Sequence, residues 1–216
     1  MAQSSKRSTT AKDVRLSKKL SYALRHGALD LKLDMTTDGY VDTSHLLAKS
    51  MFASYTISDI ERVVETNDKK RYEMRRDGEG KFIRATQGHS LKIVNDEHLL
   101  ALVSDANEIE HCIHGTLEQN WTQIENSGLS SMKRNHIHFT TQEFGAQVIS
   151  GMKQTSELMV YINIRQAMQH GIKFYRSSNN VLLTRGINDS GTLPVRYVTH
   201  VTRINDGAII YRQKQI

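Results

Sequence analysis

Apolar residues return at helical spacing near the start of the chain. Leu16, Leu20, Ala23 and Leu24 share one face and predict a helix from about Asp13 to Arg25, with Gly27 as its stop. Thr37-Asp-Gly-Tyr40 reads as a turn. Asp42 is placed to cap a short helix through Leu46, Leu47 and Ala48. Ser58 is placed to cap another, with Ile60, Val63 and Val64 inward and Glu61 as its capping-box partner. Arg71 to Arg75 and Lys81 to Ala85 flank the turn residues Asp77-Gly-Glu-Gly80, which is a hairpin pattern. Three helices and a hairpin describe a winged-helix-like lobe over residues 13–100. Ahead of it, residues 1–12 hold nothing to bury and are expected to form a disordered basic tail. The acidic, mixed stretch Leu91 to Ile109 reads as the connection between this lobe and a second one.

Over residues 101–216 the pattern shifts to short strand-like runs. Glu110 to Thr116 suggests a strand ending in His114-Gly115-Thr116, followed by a helix with Leu117, Trp121 and Ile124 inward and Gly128 past its end. Met132 to Phe139 alternates as a strand. Its period puts Arg134, His136 and His138 on one face, and Asn135, Ile137 and Phe139 on the other. A short helix is expected over Ala146 to Met152, and a buried strand over Leu158 to Ile162. Asn163 is placed to cap a helix through Ala167 and Met168. Further strands are expected at Phe174-Tyr175, Val181 to Thr184 and Arg196 to Val201. The whole is an α+β pattern, helical first and β-rich second.

Composition narrows the class. With 38% hydrophobic and 24% charged residues, 216 residues suffice for a real core. No apolar run is long enough for a bilayer and no secretory signal opens the chain, so no membrane role is expected. The single Cys112 suits a reducing compartment, and a cytoplasmic or nuclear location is expected. A net charge of +6 points to a polyanionic partner, of which nucleic acid is the commonest. Aromatics are only 6%, so contacts to the backbone and phosphates of RNA are expected over base stacking.

A guanidinium beside two imidazoles on one strand face suits an anionic substrate, because Arg presents planar donors that match phosphate oxygens. Alone, a His-x-His strand is more often the polar face of a sheet. Arg25 and His26 alone read as a basic helix end favoured by the macrodipole. Ten His with one Cys show no zinc-like spacing, so no metal is expected.

Taken in order, the motifs resemble the tRNA 2′-phosphotransferase family. The matching pieces are Leu16-Ser-Lys-Lys-Leu20, Leu24-Arg-His-Gly27, Asp38-Gly39-Tyr40, Asn67-Asp-Lys-Lys-Arg-Tyr72 and Ile83-Arg-Ala-Thr-Gln-Gly-His-Ser90. They continue with His114-Gly-Thr116, Gly128-Leu129, Arg134-Asn-His-Ile-His138, Ser150-Gly-Met-Lys153 and Phe174-Tyr-Arg-Ser-Ser-Asn179. The resemblance implies an enzyme that removes the 2′-phosphate left in RNA, as at a tRNA splice junction, using NAD as a consumed co-substrate. The phosphate displaces nicotinamide, giving an RNA-2′-phospho-ADP-ribose intermediate. The neighbouring ribose hydroxyl then attacks phosphorus, leaving 2′-hydroxyl RNA and ADP-ribose 1″,2″-cyclic phosphate.

The resemblance further implies a winged-helix-like first lobe and an ADP-ribosyltransferase-like second lobe. It carries a catalytic tetrad onto Arg25, His26, Arg71 and Arg134, which would grip the phosphate. It carries NAD binding onto His114, Gly115, Thr116, His138, Ser177 and Asn179. Three positions depart from the family pattern: Lys153 where Arg is common, Asn180 where Gly is usual, and Arg185 where proline is common. A monomer is expected. Two rival readings stay open. One is an ADP-ribosyltransferase acting on protein or nucleic-acid ends, although Val181-Leu-Leu183 carries no carboxylate of the kind protein-modifying relatives use. The other is a non-enzymatic winged-helix RNA-binding module, which would leave the two histidine strands unused.

Overall fold

The computed structural model describes residues 10–143 and 150–213. Residues 1–9 of the expected tail therefore lie outside the described residues, while Ala11 and Lys12 already belong to the first helix. Of the helix expected over Ala146 to Met152, residues 146–149 lie outside them, and Ser150 to Met152 form a turn. The chain divides into two compact units, the first reaching Leu99 and the second starting at Leu100. Helices and antiparallel strands together make it α+β.

In the first unit, α1 (Ala11–Arg25) opens on a reciprocal cap. The Thr10 hydroxyl accepts from the Asp13 N–H, and the Asp13 carboxylate accepts from the Thr10 N–H. Its apolar stripe Leu16, Leu20, Ala23 and Leu24 is fully buried, as helical spacing predicts. β1 (Val41–Asp42) runs into α2 (Thr43–Leu47), whose N–H at Ser44 is capped by Asp42 at 2.7 Å. α3 (Ile57–Glu65) is capped by Thr56 with Asp59 as reciprocal partner, not by Ser58 with Glu61. Thr56 has the extended backbone a cap needs, whereas Ser58 already lies in the first turn. Arg62 on α3 donates to both Asp13 (2.7 Å) and Asp59 (2.6 Å), tying α3 to α1.

β2 (Tyr72–Asp77) and β3 (Gly80–Ala85) form the expected hairpin, in register from Tyr72↔Ala85 to Asp77↔Gly80. β1 pairs the other side of β3, giving the order β1-β3-β2. α4 (Asp96–Leu99) closes this unit. Its core gathers Leu16, Leu20, Leu24, Leu46, Phe52, Ile60 and Ile83.

The second unit contains, in chain order, β4 (Ala101–Leu102), β5 (Ile113–Thr116), α5 (Trp121–Ser127), β6 (Leu129–Ser130), β7 (Ile137–Phe139), β8 (Leu158–Ile162) and α6 (Ile164–Gln169). It ends with β9 (Tyr175–Arg176), β10 (Leu182–Thr184), β11 (Thr192–Leu193), β12 (Val198–Arg203) and β13 (Ile209–Arg212). One sheet has the order β4-β9-β10-β7, another β13-β12-β8-β5, and β11 pairs β6 as a small ribbon. An isolated antiparallel pairing of Ile113 with Thr140 stitches the two larger sheets at β5 and β7. Asn163 caps α6 through the Gln166 N–H, as expected.

Two further expectations need correction. The stretch Leu91 to Ile109 is no plain connection: it contains α4 and β4, and Val103 and Ile109 sit in the second core. The eight-residue strand over Met132 to Phe139 is only three residues long. Ser131 to Arg134 is a tight turn closed by the Arg134 N–H to the Ser131 carbonyl at 3.1 Å, so Arg134 precedes the strand instead of sharing a face with His136 and His138. His136, Ile137, His138 and Phe139 are all buried. A strand covered on both faces loses the alternation that a half-exposed strand shows.

Candidate active site

Arg25 and His26 stand where α1 runs out, and the chain after β3 folds back onto them. The Ser90 N–H donates to the Arg25 carbonyl at 2.9 Å, and the Ser90 hydroxyl lies 2.9 Å from His26 Nδ1. That hydroxyl also reaches the Arg25 carbonyl at 3.4 Å. When it donates there it accepts from Nδ1–H, which leaves His26 Nε2 as an acceptor in the neutral ring. Gly88 has φ +88°, and a Cβ on it would lie 3.5 Å from Arg25 Cδ, Nε and Cζ, so bare backbone runs along the buried Arg25 side chain.

The same loop holds Arg71. The Thr86 N–H donates to the Arg71 carbonyl at 3.0 Å, and Asn67 Oδ1 accepts from the Arg71 N–H at 3.0 Å and from its guanidinium at 3.4 Å. Half-buried Lys69 sits nearby. Lost hydration, and then the charge of Arg71, lower its pKa. Residues 86–90 thus gather Arg25, His26 and Arg71 around one short loop. Spacing gives no role to Ser90 or Asn67. Ser90 is 64 positions from His26, and only its place in the Gln-Gly-His-Ser run marks it.

In the second unit, His114 Nδ1 lies 2.8 Å from the His138 carbonyl, linking β5 to β7. A carbonyl only accepts, so Nδ1 carries the proton and Nε2 keeps a lone pair. Burial lowers the His114 pKa, its bond to the carbonyl opposes this, and the charges of Lys153 and Arg134 add to the lowering. The ring is therefore neutral at pH 7. Arg134 keeps exposed surface, yet the protein around it costs its guanidinium hydration and lowers its pKa; it remains cationic at neutral pH. The half-buried His114 ring meets Phe139 edge-on at 6.0 Å.

Other predicted positions are engaged inside the fold. A Cβ on Gly115 would lie 2.1 Å from Met152 Cγ and 2.7 Å from Ser156 Oγ, so its own chain makes the close approach. The Thr116 hydroxyl accepts from Asn120 at 3.1 Å. Ser177 and Asn179 are buried in the turn between β9 and β10, where the Ser177 hydroxyl donates to Asn179 Oδ1 at 2.7 Å and accepts from the Val181 N–H at 3.1 Å. Asn180 has φ +62°, the left-handed backbone in which Asn substitutes for Gly. Among the described residues, no group of three His, Cys, Asp or Glu could hold a metal ion, and no helix is long and apolar enough to cross a membrane.

Chemically, the first unit offers cations and an imidazole to an oxyanion. The second offers a neutral imidazole with two cations around it. Comparison with known proteins agrees with an anionic, phosphate-bearing substrate. The model of the RNA 2′-phosphotransferase, Tpt1/KptA family matches residues 11–186. The chain is 42% identical over 201 residues to tRNA 2′-phosphotransferase 1 of Danio rerio, covering 92% of this chain and 89% of that protein. It is 36% identical over 198 residues to tRNA 2′-phosphotransferase of Saccharomyces cerevisiae, covering 88% and 84%. It is 30% identical over 182 residues to a probable RNA 2′-phosphotransferase of Rhizobium rhizogenes, covering 83% and 92%.

Proposed function

Because the chain belongs to the RNA 2′-phosphotransferase family, and is thus a transferase, we propose that it moves an internal 2′-phosphate of RNA, as left at a tRNA splice junction, onto the ADP-ribose part of NAD. The observation that carries this reading is the single loop, Thr86 to Ser90, that holds Arg25, His26 and Arg71 together. A 2′-phosphate carries about −1.5 to −2 charge and is a weak nucleophile, so it must be held in line and not merely neutralised. Arg25, Arg71 and Arg134 are the groups to do so, because guanidinium stays charged and binds phosphate oxygens in pairs. His26, whose Nδ1 is oriented by the Ser90 hydroxyl, is the group to contact the phosphate or carry a proton.

NAD, when bound, supplies an electrophilic ribose carbon with nicotinamide as leaving group. The residues fit this in part. His114 offers a neutral Nε2 acceptor to a ribose hydroxyl, and His138 fixes that ring through its carbonyl. Thr116, Ser177 and Asn179 have bonds to the protein itself, so their part is to shape the site. In the second half of the reaction, a ribose hydroxyl would displace the RNA 2′-oxygen at phosphorus, the proton of the one passing to the other, and the same guanidiniums would stabilise the charge on the phosphoryl oxygens. The products are 2′-hydroxyl RNA and ADP-ribose 1″,2″-cyclic phosphate. In this reading the first unit is winged-helix-like and the second ADP-ribosyltransferase-like.

The test is to incubate the chain with a short RNA bearing an internal 2′-phosphate, with and without NAD. Loss of the 2′-phosphate only with NAD, with the cyclic phosphate formed, is expected. RNA binding without any reaction would replace this reading by that of a binding module.

A further inference from the structure

The turn between β6 and β7 carries a side chain that folding does not explain. Met132 is 79% exposed and has φ +55°. The other described non-glycine residues with positive φ are Lys32, Lys70, Asn180, Asn188 and Asp189, all polar. Met gains nothing from that backbone, which Gly or Asn adopts with less strain. It also buries almost no apolar surface, so it contributes little to the core.

The turn is nevertheless built firmly. The Ser130 hydroxyl accepts from the Met132 N–H at 3.1 Å, and the Ser131 carbonyl accepts from the Arg134 N–H at 3.1 Å. The Ser131 N–H donates to the Gly191 carbonyl at 2.8 Å, where a Cβ on Gly191 would lie 2.7 Å from Ser131 Oγ. Below it, Ser130 pairs with Thr192 in the β6–β11 ribbon. The result is a fixed platform that presents, in sequence, an exposed thioether and the exposed cations Lys133 and Arg134.

We propose that Met132 is a nucleoside contact: its side chain packs on the nucleoside flanking the 2′-phosphate and so favours RNA over smaller phosphorylated substrates. This rests on the phosphate role of Arg134 proposed above. In RNA, a phosphate drawn to the two cations has a neighbouring nucleoside along the strand, and the base of that neighbour has a flat π-face that an isolated nucleoside phosphate lacks. A thioether is soft and polarisable and packs well on such a face.

The experiment compares wild type with Met132→Ala and Met132→Gly on two substrates, a short RNA with an internal 2′-phosphate and a nucleoside 2′-phosphate without neighbours. Both variants should raise KM for the RNA by about two- to twelvefold, the range a sulfur–ring contact spans, with a clearly smaller change for the nucleoside phosphate. Met132→Gly relaxes the backbone, so its Tm should hold or rise while its RNA KM worsens; a purely structural role would not give that pair of results. Leu102→Ala, which trims another exposed apolar residue of the same unit, should change neither substrate. Equal changes for both substrates, an unchanged RNA KM, or a rise in the KM for NAD instead would each overturn the assignment. Wild-type turnover with silent variants removes the Met132 contact alone. A wild-type chain inactive on both substrates removes the phosphotransfer reading and this inference together.

Discussion

The histidine and arginine residues of the two units look alike in sequence and are used differently. In the first unit, Arg25, His26 and Arg71 stand at element ends, held by a loop that bonds mainly their backbone. In the second, His138 on β7 and His136 just before it are buried, and Gly115, Thr116, Ser177 and Asn179 are engaged by neighbours within the unit. The same residue types therefore serve in one place as a loop-held cluster, with His26 exposed beside a buried Arg25, and in the other as internal framework. Position relative to the end of an element separates the two uses better than residue type does.

The sharpest way to break the comparison is substitution on each side of it. Arg71→Ala should lower nicotinamide release by about 10²–10³, the usual cost of losing a donor aimed at transition-state charge, with the melting temperature little changed. Ile137→Ala, one residue inside the buried strand, should instead cost about 2–5 kcal/mol of stability in a denaturant titration, because it opens a cavity in a site with 1% exposure. Loss of activity without loss of stability at Ile137, or the reverse at Arg71, would undo the contrast.

Much of the frame was legible because periodic patterns are local. The stripe from Leu16 to Leu24, the Asp42 and Asn163 caps and the Asp77–Gly80 hairpin all rest on residues a few positions apart. What failed was not local. Thr56 and Ser58 are both hydroxyl residues two positions apart, and only backbone geometry selects the cap. The alternation of Arg134, His136 and His138 assumes one exposed face, but β7 is covered on both sides and Arg134 belongs to the turn that precedes it. The two-residue strands β4, β6 and β11 are too short to show a period. Motif order pointed to the candidate site residues, but the bond from Ser90 to His26 spans 64 positions and carries no periodic signal.

That bond supplies a smaller and more specific test. Ser90→Ala should lower kcat several-fold with the melting temperature little changed, while Ser90→Thr, which keeps the hydroxyl, should restore most of it. A Ser90→Ala enzyme with normal kcat would show that the bond does not set the ring.

The smallest effect concerns the frame of the first unit. The Arg62 hydrogen bond holds the Asp13 carboxyl at a pKa of about 2, and the bonds from Lys12 and Arg62 hold Asp59 lower still. A carboxyl depressed on folding stabilises the fold above the ordinary carboxylate range, and that contribution is lost as pH falls toward its folded value. Melting temperature should therefore drop from about pH 4 toward pH 2. Asp13→Asn should flatten part of that slope while lowering stability at pH 7. An acid profile identical to wild type would mean that the pair adds nothing.

The central claim, transfer of an RNA 2′-phosphate to a nucleotide co-substrate, is tested most directly by stoichiometry. With 2′-phosphorylated RNA and NAD in excess, nicotinamide released should equal 2′-phosphate lost, one for one, and RNA with a free 2′-hydroxyl should release none. Inorganic phosphate appearing without nicotinamide would contradict the account.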